Sequence, residues 1–166
     1  LPNEPIGPAN EKFFPYLSGE RTPLNDAHIR AGFSGLGQTS DLAKLTQCVM
    51  EGVSFALRDC LEAIRKTDAS PSSLLAIGGG SVSQFWLQTI SNTLNIELEK
   101  PKSGEFGAAL GAARLAISAI MKSPIEEIMT KPEIERKIIP NQKYVDLYQT
   151  AYETYKNGHV HLRGLQ

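Results

Sequence analysis

Leu74-Leu75-Ala76-Ile77-Gly78-Gly79-Gly80-Ser81 is the stretch that decides the fold. Four consecutive apolar residues with no polar alternation suit a strand covered on both faces, as in a parallel sheet. The three glycines remove every Cβ from the turn that follows, so the backbone there can lie flat against a planar or anionic ligand. Ser81 can cap a second helix, whose free amides and positive dipole end would point at that ligand. Ligands of open α/β sheets gather beyond the carboxyl ends of the strands, where this loop falls. A glycine-rich turn that only connects strand to helix fits the same residues about as well, and neither GxxxxGK[ST] nor GxGxxG occurs in the chain.

Working upstream, Ser40-Asp41 is a helix start. The residues behind it, Leu42, Leu45, Val49, Val53, Ala56, Leu57, Cys60, Leu61 and Ile64, recur at three- and four-residue spacing. One apolar stripe facing a core is therefore expected to about Lys66, with Asp68-Ala69-Ser70-Pro71 as the break. Earlier still, Phe13-Phe14-Pro15-Tyr16-Leu17 is a short apolar run. It leads into the turn-rich Ser18-Gly19-Glu20-Arg21-Thr22-Pro23 and, further on, Gly32-Phe33-Ser34-Gly35-Leu36-Gly37.

Downstream, Phe85, Leu87, Ile90 and Leu94 give the second helix a buried side and Asn95 a C-cap, while Ile96-Glu97-Leu98-Glu99 alternates like a short strand with one wetter face. The run from Gly107 to Ala116 is a helix so poor in side-chain volume that neighbours are expected close to its backbone at Gly107 and Gly111. Beyond Pro124 the chain is more charged, and the segment around Lys131-Pro132-Glu133 reads as surface covering. A last helix from about Asn141 places Tyr144, Tyr148, Ala151 and Tyr155 on one face, a pattern of packing with hydroxyls at the rim.

Composition narrows the classes of function. The 166 residues suffice for one domain that buries roughly 70% of its unfolded surface, and 41% hydrophobic with 21% charged residues is the balance of a folded, water-soluble protein. Lys and Arg total 17 against 18 Asp and Glu, so the electrostatic footprint of a nucleic-acid or acidic-membrane binder is missing. No apolar run reaches the roughly 20 residues of a membrane-spanning helix. Cys48 and Cys60 lie too far apart on one helix to be bridged and read as reduced thiols of a reducing, cytoplasmic compartment. His159-Val160-His161 reads as a solvated tail, and no protein-built metal site is expected.

Two further loops invite a ligand reading beside a structural one. Ser103-Gly104-Glu105-Phe106-Gly107 repeats the glycine-bearing turn after the second strand, so a nucleotide base could lie between the two helix starts; close helix packing explains it equally well. Glu20 and Arg21 could gate a cleft, though an ion pair that fixes their own loop is the expected role.

Along residues 13 to 155 the chain resembles the FGGY carbohydrate kinases. The resemblance rests on Phe14-Pro15-Tyr16-Leu17-Ser18-Gly19-Glu20-Arg21-Thr22-Pro23, Gly32-Phe33-Ser34-Gly35-Leu36, Met50-Glu51-Gly52-Val53, Gly78-Gly79-Gly80-Ser81 and Gly107 to Ala116. The last of these runs, with the tyrosine-bearing tail, is most similar to the D-xylulose kinases within that family. Lys44 and Cys48 depart from the family's usual signature, and both lie on the long helix, where they bear on packing rather than chemistry.

The resemblance implies an α/β fold, an incomplete ribonuclease-H-like (actin-like ATPase) domain that is helix-rich with a small, partly parallel sheet. Residues 1–122 would be the C-terminal portion of the second kinase domain, on the nucleotide side, and 123–166 a helical extension packed on it. It implies ATP-dependent phosphoryl transfer to a sugar hydroxyl, a pentulose, with Mg²⁺ held mainly by the phosphates and by parts outside this chain. Gly78, Gly79, Gly80 and Ser81 would line the adenine and ribose, with Gln84 contacting the base or sugar. The family's catalytic aspartate, its phosphate hairpin and its sugar-binding residues would lie upstream of Leu1. The chain is accordingly expected to be a fragment of a longer enzyme, inactive as a kinase by itself and prone to self-association through exposed sheet edges. A gluconate or glycerol kinase, or a non-catalytic actin-like nucleotide-binding module, would share the same motifs.

Overall fold

The structure, a computed structural model, describes residues 7–102 and 107–162, the last four as helical backbone only. Its longest element is α1 (Leu42–Arg65), begun by Asp41, whose carboxylate accepts the Lys44 amide at 2.9 Å as an N-cap should. Ahead of it, β1 (Lys12–Phe14) and β2 (Gly32–Ser34) form an antiparallel pair with Phe13 opposite Phe33, their ring centroids 4.8 Å apart. β1 lies directly against α1. A Cβ on Gly52 would fall 2.1 Å from the Phe13 carbonyl oxygen, so only a residue without a side chain lets the strand in.

The face that α1 buries differs from the expected stripe. Gln47, Cys48, Glu51, Gly52, Ser54, Phe55 and Leu61 are buried, whereas Leu42, Leu57 and Ile64 are exposed and Leu45, Val49 and Val53 only half-covered. Long-range partners decide this. The Glu51 carboxylate accepts hydrogen bonds from the Ala9 amide, Gln47 Nε2 and Tyr148 OH, and Gln47 also donates to the Gly7 carbonyl. Burial pushes the Glu51 carboxyl above its ordinary range, opposed by these donors and by nearby Lys12.

A second sheet holds β3 (Ser73–Leu75), β4 (Glu97–Pro101) and β5 (Ile134–Ile138) in that order, β3 parallel and β5 antiparallel to β4. α2 (Gln84–Leu94) packs on it, and Leu61, Leu87, Leu94, Ile96, Leu98 and Ile138 make the shared core. Asn95 closes α2 in the left-handed conformation, φ 48°, as a C-cap. The parallel pair is as expected, but β3 is short and open: Leu75 and Ile77 stay 45% and 51% exposed, so the strand is not covered on both faces by the described residues.

α3 (Gly107–Met121) and the single turn α4 (Ile125–Ile128) follow β4. No residue of α3 is buried. Gly107 meets the expectation of close approach, since a Cβ there would lie 2.7 Å from Ile77 Cδ1; Gly111 does not, having open space among the described residues. The charged segment after Pro124 supplies β5 as well as surface, with Ile138 its buried anchor.

α5 (Gln142–Leu162) then returns across α1. Tyr148, Ala151 and Tyr155 pack inward as expected with Phe14, Tyr16 and Phe55, joined by Tyr152, whereas Tyr144 is only partly buried. The hydroxyls of Tyr152 and Tyr155 are not at the rim. Tyr155 and Tyr16 share a hydrogen bond of 2.9 Å, and Tyr152 donates to Asp59 at 2.6 Å. Among the described residues no helix is long and apolar enough to cross a membrane.

Candidate functional site

Of the five residues singled out by sequence, Gly78, Gly79, Gly80 and Ser81 follow the end of β3, and Gln84 stands beyond the next turn at the start of α2. The ladder runs one residue past the strand, where the Ala76 amide donates to the Glu99 carbonyl at 2.8 Å, and the chain then leaves the sheet through Ile77. Gly78 turns it with φ +87°, a left-handed value that side chains resist. Residues Gly79–Val82 form a 3₁₀ turn, tied by hydrogen bonds from the Ser81 amide to Gly78 O (3.0 Å) and from the Ser83 amide to Gly80 O (3.2 Å).

Ser81 does not cap the second helix. It is buried, and its hydroxyl donates to the Gly78 carbonyl at 2.7 Å, locking the turn from inside. The cap is Ser83, whose hydroxyl accepts the Trp86 amide at 3.3 Å. Both serines have the right chemistry for a cap. The 3₁₀ turn moves the start of α2 two residues on, so the loop and the helix terminus are separated by one tight turn.

Gly78 and Gly79 present an open face among the described residues: where a Cβ would stand on either, none of their heavy atoms lies within 4 Å, chain neighbours aside. The amides of Gly79 and Gly80 find no backbone acceptor among the described residues. Gly80 is different, because its other side is covered by the indole of Trp86. Gln84 is exposed at the first turn of α2, where its Oε1 accepts a hydrogen bond from Arg136 Nη1 of β5 at 3.0 Å. Trp86 and Arg136 were missed by sequence reading. For Trp86 a signal existed, since the chain's one tryptophan falls three residues after a serine that can cap.

Two hollows flank β3. One of about 580 Å³ lies beneath the loop between α1 and α2, lined by Leu57, Ile64, Leu75, Ile77, Gly80 and Trp86 among others. The second, of about 470 Å³, opens on the other side between Ile77 and the first turns of α3, with Gly107, Leu110, Gly111 and Lys102 on its wall. The glycine-bearing turn that precedes α3 lies, apart from Gly107, outside the described residues.

Glu20 fixes its loop through backbone amides, accepting Thr22 N at 2.6 Å and Leu24 N at 2.7 Å, with no ion pair to Arg21 among the described residues. Both cysteines are free; burial holds the Cys48 thiol up at about 12 and raises that of the half-exposed Cys60 as well. Among the described residues no cluster of three or more His, Cys, Asp or Glu side chains could hold a metal ion.

The family model for the C-terminal domain of the FGGY carbohydrate kinases matches residues 6–120. A xylulose kinase of Escherichia coli K12 is 35% identical over 145 residues, which are 87% of this chain and 30% of that protein. Among solved structures, a "xyloylose kinase" from Brucella ovis superposes with a TM-score of 0.91 at 43% identity, covering 99% of this chain and 34% of the other. A gluconate kinase from Lactobacillus acidophilus gives 0.75 at 31% identity, covering 91% and 31%. The chain thus spans about a third of the length of the relatives it matches, and its fold is theirs, the α/β actin-like ATPase architecture, helix-rich with small mixed sheets. On the family match and these relatives together, the chain belongs to the FGGY family of carbohydrate kinases, whose C-terminal domain it carries.

Proposed function

We propose that the chain supplies the adenosine side of the ATP site in a kinase that phosphorylates D-xylulose to D-xylulose 5-phosphate. One observation carries this reading: a loop without side chains, at the carboxyl end of a parallel strand, whose Gly78 and Gly79 are unobstructed. Flat peptide planes and amides without a backbone acceptor among the described residues suit a purine nucleoside, and the hollow between Ile77 and α3 has room beside them. Gly78, Gly79 and Gly80 line the adenine and ribose in this reading. Gln84 contacts the ligand from the first turn of α2, and Ser81 acts from behind by holding the turn.

The triphosphate and its Mg²⁺ fall to groups outside the chain in this reading. Transfer of the γ-phosphoryl needs a base on the sugar hydroxyl and a phosphate cradle. Neither role is assigned to a residue here, and the chain alone is inactive. Residues 123–166 act as an extension on the nucleotide-side portion, adding β5 to the sheet and α5 to the aromatic core. Two free thiols support a cytoplasmic setting. Exposed β3 and the uncovered Leu115, Ile120 and Met121 of α3 support self-association, which light scattering at rising concentration would register.

The test has two arms. Calorimetric titration of the chain with ADP is expected to give weak, saturable binding that Gly79→Val abolishes; unaltered binding by that variant refutes the assignment of the loop. ADP release by the full-length kinase should depend on D-xylulose. The 31% identity with a gluconate kinase favours a second reading, and dependence on gluconate instead would establish it.

A further inference from the structure

We propose that Trp86 is the positioning residue of the glycine loop, holding Gly80 at the height at which the loop's open face can receive a nucleoside. The inference rests on the adenosine reading above and goes beyond it, to a side chain that does not touch the ligand.

The ring lies against the closed side of Gly80. A Cβ on that glycine would stand 2.5 Å from Cζ3, 3.0 Å from Cε3 and 3.4 Å from Cη2 of the indole, so the six-membered ring is seated under this residue. Real Cβ atoms essentially never come within 3.0 Å of a carbon atom, and an indole cannot yield as the tip of a lysine would. The ring is also pinned at both ends. Its Nε1 donates to the Met50 carbonyl of α1 at 3.1 Å, an oxygen that also accepts the Ser54 hydroxyl at 2.8 Å. Its backbone amide donates to Ser83 Oγ, the cap of α2.

An indole held by its N–H and by its main chain keeps one orientation. Gly80 therefore cannot sink toward the hollow between α1 and α2, and Gly79, one residue back, keeps its free face outward. Removing the ring would leave the peptide above it without a floor. Removing only the N–H would leave a ring free to tilt.

Trp86 is the chain's single tryptophan, so its emission reports on this contact alone. The experiment is ADP titration of the full chain, followed by calorimetry and by tryptophan emission under identical conditions. Trp86→Phe, Trp86→Leu, Gly80→Ala and the Gly80→Ala/Trp86→Leu double variant are then measured by calorimetry, with circular dichroism and thermal unfolding to establish that each is folded.

The expected result is a saturable emission change with the calorimetric midpoint, and ADP affinity about tenfold weaker in Gly80→Ala, most of which disappears when the same change is made on Trp86→Leu. Trp86→Phe should lose affinity by a few-fold while unfolding at nearly the parent temperature. The proposal is overturned if ADP binds calorimetrically with unchanged emission, or if Trp86→Phe lowers thermal stability but not affinity. Equal cost of Gly80→Ala in both backgrounds overturns it too. Absence of any ADP heat would remove the adenosine reading itself and this inference with it, an outcome distinct from binding that ignores Trp86.

Discussion

The aromatic half of the molecule and the glycine half share α1 but solve opposite problems. Around Phe55, the rings of Tyr148, Tyr152 and Tyr155 stand 5.2 to 6.5 Å away, and none of these side chains is more than 4% exposed. Two residues on, Leu57 is 42% exposed over the hollow beneath β3. The same contrast separates Phe14, stacked at 4.9 Å on Tyr155, from Ile77 and Leu110, which face open space beside the loop. Cohesion is concentrated where the rings are, and access where the glycines are. A chain arranged in this way can leave its glycine-bearing half open without losing its fold.

The sharpest break of that contrast is chemical. Cys48 belongs to the covered half, 1% exposed with its thiol pushed up to about 12, and Cys60 lines the open hollow. Burial disfavours the thiolate, which is the reacting form, so reactivity rises only as pH approaches the raised value. A thiol reagent should therefore label one cysteine of the native chain and two in urea, with mass spectrometry locating the first at Cys60. Native labelling of Cys48 would show that the covered half opens.

Next in size is Phe55→Ala, expected to cost about 3–5 kcal/mol by urea unfolding because three rings lose a common neighbour. A loss under 1 kcal/mol would mean that the rings are not the seat of stability. Gly52→Ala should cost about 1–3 kcal/mol, since its Cβ meets the backbone carbonyl of Phe13 rather than a mobile side chain. Tyr152→Phe deletes the hydroxyl on Asp59 and should cost about 1 kcal/mol. The smallest effect is expected in the other half: Ile120→Ser, at a site 81% exposed on α3, should change stability by less than about 0.5 kcal/mol. A large effect there would place part of the core where the structure puts surface.

Sequence reading reached the features that local chemistry determines. Asp41 starts α1, Asn95 ends α2, the tyrosines of α5 pack inward, and the apolar run before the glycines pairs in parallel with the alternating run after α2. It failed where residues far apart in the chain decide the outcome. Periodicity placed Leu42 and Ile64 inside and gave no role to Glu51, yet the Ala9 amide and the Tyr148 hydroxyl, 42 and 97 residues away, bury the carboxylate. Ser81 and Ser83 are equivalent as caps on paper, and the hydrogen bond from Ser81 to Gly78 chooses between them. β5 was hidden by its own charges, because Glu135 and Lys137 pair with Lys100 and Glu97 of β4 and Arg136 reaches Gln84 of α2, while Ile138 alone is buried.

The register of β3 leaves a short open rim on one side of the sheet. Its three residues bond to β4 along one side, Ser73 with Glu97 through Leu75 with Glu99, and the opposite side carries no ladder among the described residues. A rim so brief can zip only a couple of amide pairs onto a newcomer, enough for transient coupling and too few to seed a growing fibril. Lateral assembly through it would stop at finite, dilutable species.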